Sequence, residues 1–212
     1  MTIRTLTRRA ALATVAVTGA LVLAACGGDN DGDSGSAHPG HGASATASAS
    51  AGAHNAQDVA FAQGMIQHHQ QALEMAELAD GRAASAEVKD LASRIEKAQG
   101  PEIRTMTGWL KSWGEEVPMA GMDHSGHAGM SGMSDMSGMM GEADMTALKK
   151  AHGKDFDTRF LTLMIEHHQG AVTMATTEKD KGRYGAATAM ADDIVTAQNA
   201  EIKEMKKLLG EK

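Results

Sequence analysis

Two histidine pairs, His68-His69 and His167-His168, stand 99 positions apart in a chain of 212 residues. Each pair has a methionine three residues before its first histidine and another seven after it: Met65 and Met75 in the first copy, Met164 and Met174 in the second. Imidazole nitrogen and thioether sulfur are uncharged ligands that suit transition metals rather than hard cations, so the pattern points to a metal site. One such pair in a protein core would more simply hydrogen-bond to its neighbours, and methionines at helical spacing would simply pack. Two pairs at equivalent positions favour the metal.

The elements that must position these side chains are themselves duplicated. The same offset carries Asp58 onto Asp157, Phe61 onto Phe160, Gln99 onto Gln198, Glu102 onto Glu201, Ile103 onto Ile202 and Met106 onto Met205, without a gap. Each copy reads as helix, short break, helix: 57–80 and 85–112, then 155–179 and 186–209. Together they predict an all-α four-helix bundle built from two helical hairpins. On a wheel of about 100° per residue, Asp58, Phe61, Met65, His68, His69, Ala72, Met75 and Ala76 fall within an arc of about 120°, beside the aliphatic Ile66 and Leu73. The His-Met face should therefore look into the core, and the pairs of the two halves can face one another. On the second helix of each hairpin, Gln99, Glu102, Gln198 and Glu201 interrupt an apolar stripe. If buried they need partners, and accepting an imidazole N–H on the side away from a metal is the obvious role. Pro101, where the second copy has Ala200, predicts a kink or short break after Gln99.

Between the repeats, 114–148 reads as a flexible linker rich in Gly, Ser and Met. From Met119 to Met145 it holds eight methionines and two histidines among almost no aliphatic residues. Met130, Met133, Met136 and Met139 recur every third residue among Gly and Ser, a spacing no packing logic explains. With Met122 and Met140 they form a thioether set suited to Cu(I), while His124 and His127 could hold Cu(II).

The N-terminal end carries a different kind of signal. Residues 1–25 hold Arg4, Arg8 and Arg9 with no acid, then an apolar run too short to span a membrane, then Leu23-Ala24-Ala25-Cys26. That order predicts an export signal ending in a lipobox, with Cys26, the chain's one cysteine, as the lipid attachment point on the extracytoplasmic face of the membrane. Export would be by the Sec route or, given Arg8-Arg9, the twin-arginine route. Residues 26–56 read as a lipidated cysteine and a disordered tether, and 57–212 as the bundle domain. Losing the three arginines would move the formal charge from −7 to about −10, which disfavours nucleic acid and suits cations.

The duplicated Met-Ile-x-His-His-x-x-Ala-x-x-Met-Ala box, with Phe four residues ahead of each copy, closely resembles the bacterial family catalogued as domain of unknown function 305. The resemblance covers both halves and implies a ferritin-like four-helix bundle, exported and associated with copper. Carried over by position, it implies His68, His69, His167 and His168 as ligands, with Met65, Met75, Met164 and Met174 nearby. Ferritin-like di-iron enzymes use Glu-x-x-His on two helices, and no Glu in this chain has a His three residues later, so iron is the weaker cofactor. The expectation is a lipid-anchored copper-binding protein that sequesters copper or passes it to a partner protein, rather than an enzyme. A cuprous oxidase and a metal-free envelope bundle are the alternatives.

Overall fold

The computed structural model describes residues 52–119 and 137–211. The expected signal, Cys26 and most of the tether lie outside them, as do Met122, His124, His127, Met130, Met133 and Met136. The described chain forms four long helices and two short ones: α1 (Ala56–Glu77), α2 (Ala79–Arg82), α3 (Ala86–Trp113), α4 (Glu142–Lys150), α5 (Gly153–Lys181) and α6 (Gly185–Leu208). No strand occurs among the described residues; Ala83 and Gly153 make one isolated bridge.

Local chemistry sets the helix ends. Asn55 caps α1, accepting from the Gln57 and Asp58 N–H groups at 2.8 and 3.1 Å, while the Asp58 carboxylate accepts from the Asn55 N–H at 2.6 Å. This reciprocal box satisfies donors that the first turn would otherwise leave bare. Ser85 caps α3 through the Val88 N–H, and Gly114, at φ +76°, ends the helix in the left-handed conformation that favours glycine.

Helices α1 and α3 form one hairpin, α5 and α6 the other, and the hairpins meet chiefly along α1 and α5. These two run antiparallel, because Asn55 at the start of α1 donates from its side chain to the carbonyl of Lys181 at the end of α5. Arg94 and Glu204, 2.6 Å apart, link α3 to α6 on the outside.

Two expectations are corrected here. Helix α3 runs unbroken through Pro101. A proline costs one hydrogen bond and some strain, and this helix is held at many other points by its buried apolar stripe from Val88 to Leu110. Residues 142–148, expected within the flexible linker, belong to α4, whose Met145 and Leu148 are buried against the first hairpin and α5. Lys149 pairs with Glu74 to hold α4 against α1.

The core is divided in two. One apolar cluster gathers Ala72, Met75 and Ala76 with Leu91, Ile95, Phe156, Phe160, Met164, Ile202 and Met205. The other gathers Phe61, Met65 and Ile66 with Met106, Leu110, Ala171, Ala175, Ala191 and Ile194. Between them, at mid-length of all four long helices, lies a polar layer containing His68, His69, Gln99, His167, His168 and Gln198, all buried.

The constant offset of the repeat also braces the two hairpins. Asp58 on α1 accepts from the N–H groups of Arg183 and Tyr184 at 2.9 and 2.8 Å, in the turn ahead of α6. Asp157 on α5 accepts from those of Ala84 and Ser85, both at 3.0 Å, ahead of α3. Each hairpin thus caps the second helix of the other.

Candidate metal centre

The polar layer is built by the residues that the repeat singles out. His68 and His69 project from α1, His167 and His168 from α5, and the antiparallel packing brings the pairs to the same level. His68 and His167 face one another with ring centroids 3.7 Å apart and planes tilted by 41°. The second histidine of each pair turns toward its own hairpin partner: His69 Nε2 lies 2.7 Å from Glu102 Oε2, and His168 Nε2 lies 2.7 Å from Glu201 Oε2. In the neutral ring the proton then sits on Nε2 and donates to the carboxylate, leaving Nδ1, buried and without a partner, with a free lone pair. Carboxylate support of this kind orients an imidazole ligand and raises its basicity.

Buried polar atoms normally find partners. Here both ring nitrogens of His68 and of His167 have none, nor has Nδ1 of His69 or of His168, nor Oε1 of Gln99 or Gln198. Burial, followed by the neighbouring His69, holds His68 far below the ordinary imidazole range, at about 3; the Ser137 main chain pulls weakly the other way. Burial, then His68, His168 and His69, depress His167 as well. Both rings are therefore neutral at physiological pH, with lone pairs available to a cation. The layer offers a nitrogen-rich set of unpartnered imidazole donors suited to a transition-metal ion. Among the described residues no three His, Cys, Asp or Glu side chains already form a metal-holding group, so the layer offers imidazole pairs rather than a finished cage.

The methionines divide. Met65, Met75 and Met164 are fully buried and flank the layer from the two apolar clusters; Met174 is half-buried beside the second. Of the linker candidates, Met139 and Met140 are described and half-buried, with Met140 packed against the cluster that holds Met75 and Met164.

Two residues beside this site carried no signal in the sequence. Gln71 accepts from the Met140 N–H at 2.7 Å and donates to the Met140 carbonyl at 2.9 Å. Gly170 is buried under the backbone of Ser137 and Gly138. Gln71 and Gly170 occupy corresponding positions of the repeat, and that they differ is the only hint the sequence contains.

The family model for the domain of unknown function DUF305 matches residues 58–209. The chain belongs to the DUF305 family. A DUF305 protein from Streptomyces coelicolor, classed provisionally as secreted, is 34% identical with a TM-score of 0.64, over 73% of this chain and 92% of its own. CopM in its Cu(II)-bound form is 39% identical with a TM-score of 0.58, over 71% of this chain and 94% of its own. CopM in its Cu(I)-bound form is 35% identical with a TM-score of 0.57 over the same shares, and CopM is also known with silver bound. No curated protein matches this DUF305 chain.

Proposed function

We propose that this DUF305 protein binds copper ions at its histidine layer, sequestering them or handing them to a partner protein, as a lipid-anchored protein outside the cytoplasm. The observation that carries the reading is the set of six imidazole nitrogens buried at one level without a partner. Leaving them bare costs about 1–3 kcal/mol for each unsatisfied group, a cost a metal cation would offset at the one nitrogen of each ring that carries a lone pair. The copper- and silver-bound forms of CopM support the choice of metal. The provisional secreted status of the Streptomyces relative supports export, and Leu23-Ala24-Ala25-Cys26 supports the lipid.

Binding is favoured over catalysis because the layer's two carboxylates are committed to His69 and His168. With one oxygen of each carboxylate engaged in this way, the unpartnered groups of the layer are chiefly imidazoles, which serve a transition metal as ligands.

The test is titration of the mature chain from Gly27 with Cu(I) and Cu(II), competed against chelators of known affinity. Two variants accompany it, one with alanine at His68, His69, His167 and His168, the other lacking 120–136. Tight copper lost in the histidine variant establishes the core site, and a further loss in the deletion adds the linker. Retention of all copper by the histidine variant would make the layer structural. Oxygen uptake with Cu(I), no faster than with free copper, separates storage from oxidation.

A further inference from the structure

The histidine layer is covered at one point by main chain that comes from outside the repeats. Ser137 and Gly138, where the Met-rich segment returns to the bundle, lie directly on α5. A Cβ at Gly170 would run into the Ser137 carbonyl oxygen. A Cβ at Gly138, itself at φ +83°, would come within 2.7–2.9 Å of the Glu166 carbonyl, the Gly170 Cα and the His167 carbonyl. Both glycines are thus required by one close approach. Two residues further on, Gln71 grips both main-chain groups of Met140. The Ser137 main chain also lies near enough to His68 to act on its ring, without a hydrogen bond of ordinary geometry to it.

The fixings therefore come from both hairpins. Gln71 on α1 and Gly170 on α5 are equivalent positions of the repeat, each one helical turn or less beyond a histidine pair. The repeat is broken at this position on both sides, and in each case the departure makes contact with the same four-residue segment. A helix interior gains nothing from glycine, which costs about 1 kcal/mol against alanine. Close approach of Ser137–Gly138 is what Gly170 provides.

We propose that Ser137–Met140 is a strap over the histidine layer, fixed by Gln71 and Gly170, and that soft metal ions enter and leave the layer only when it undocks. The proposal rests on the reading that the layer takes such ions. It gives the Met-rich segment a second role, since two of its methionines, Met139 and Met140, belong to the strap itself.

The test uses the full mature chain with Gly170→Ala and Gln71→Ala. Gly170→Ala improves helix propensity, so α5 itself is not put at risk, and Gln71 is only half-buried. Amide hydrogen exchange at Gly138–Met140 is expected to rise at least tenfold in both variants, with far-UV helicity unchanged. Carbethoxylation of His68 and His167, measured without metal, is expected to accelerate by a similar factor. Release of Ag(I), used as a redox-inert probe, to an excess of chelator should accelerate at least tenfold while the equilibrium affinity changes by less than threefold. Unchanged amide exchange in both variants overturns the docking. Freed amides with unchanged carbethoxylation overturn the strap as the cover of the layer. If the wild-type chain takes up no silver at the histidines, the metal reading fails and the proposal of an entrance for ions falls with it. The two metal-free measurements still show whether the strap covers the rings, so the two failures are distinguishable.

Discussion

The rings of His68 and His167 lie 3.7 Å apart between centroids, tilted by 41°, and no nitrogen of either ring has a hydrogen bond of ordinary geometry. A histidine kept for structure would be tied down, as His69 and His168 are by Glu102 and Glu201. These two instead destabilise the metal-free fold. Replacing His68 with leucine, of similar bulk, is expected to leave the metal-free stability unchanged or raise it by about 1 kcal/mol, since an unsatisfied polar group is exchanged for apolar packing. The same variant should lose the rise in Tm that Ag(I) or Cu(I) gives the wild-type chain. Urea unfolding with and without metal reads both. A loss of several kcal/mol in the metal-free protein would identify His68 as a structural residue.

Glu102 and Glu201 orient the second histidine of each pair without facing the layer themselves. Changing either to glutamine keeps the shape but replaces a charged acceptor with a weaker one. Metal affinity is expected to fall about 10- to 100-fold, the usual effect of losing a carboxylate behind an imidazole ligand. Helicity should be unchanged. Chelator competition measures the affinity, and the resonances of His69 and His168 report the tautomer. Equal affinity in Glu102→Gln and wild type would show that His69 does not bind through Nδ1.

Much of this was legible in the sequence, and the reason is the duplication. An ungapped offset fixed which positions recur, so the hairpins, the inward face of the histidines and the partnership of Glu102 and Glu201 with imidazoles followed from helical spacing; the same role expected of Gln99 and Gln198 is not seen, their Oε1 atoms having no partner. What escaped were contacts whose meaning lies in a departure from the repeat. Gln71 and Gly170 look ordinary alone, and only the return path of Ser137–Met140 shows why they differ. Helix α4 escaped for a related reason: Glu142 to Lys150 is short and follows a Gly/Ser/Met run, and its two buried residues, Met145 and Leu148, gain a partner only from tertiary packing. At Pro101 the short break did not occur, because a local breaker was outweighed by a buried stripe extending on both sides of it.

The aspartates Asp58 and Asp157 sit on the same arc as the histidines, yet their work is at the ends of the bundle. Each closes two main-chain N–H groups of the opposite hairpin, so removing either leaves two donors bare and unties one hairpin from the other. Asp157→Ala is expected to cost about 1–2 kcal/mol, the range for a lost helix cap. Asp58→Ala should cost more, because Asp58 is fully buried and also completes the Asn55 capping box. Denaturant unfolding measures both, and copper affinity in Asp157→Ala should stay within a factor of two of wild type.

Glu178 makes one of these braces sensitive to pH. Its carboxyl is fully buried over Gly182 beside Asp58, where the repeat has Ala79. Burial, and then the adjacent Asp58, push Glu178 up to about 8. Burial also pushes Asp58 upward, but hydrogen bonding with Glu178 and with the N–H groups of Tyr184, Asn55 and Arg183 outweighs it, holding Asp58 below the ordinary range. At neutral pH Glu178 is therefore protonated and Asp58 charged. The folded state keeps a proton that the unfolded chain releases above about 4.5, so the contribution of Glu178 is fully present below that pH and is lost as pH rises toward about 8. The Asp58 contribution has the opposite sign and is lost only in acid, as pH falls through its lowered value. Glutamine mimics the protonated acid and cannot ionise. Glu178→Gln should match wild type near pH 5 and exceed it by about 2 kcal/mol or more near pH 9, since a tenfold change in proton affinity between the folded and unfolded chain corresponds to about 1.4 kcal/mol. Parallel stability curves for the two proteins from pH 5 to 9 would show that the Asp58–Glu178 contact carries no proton-linked energy.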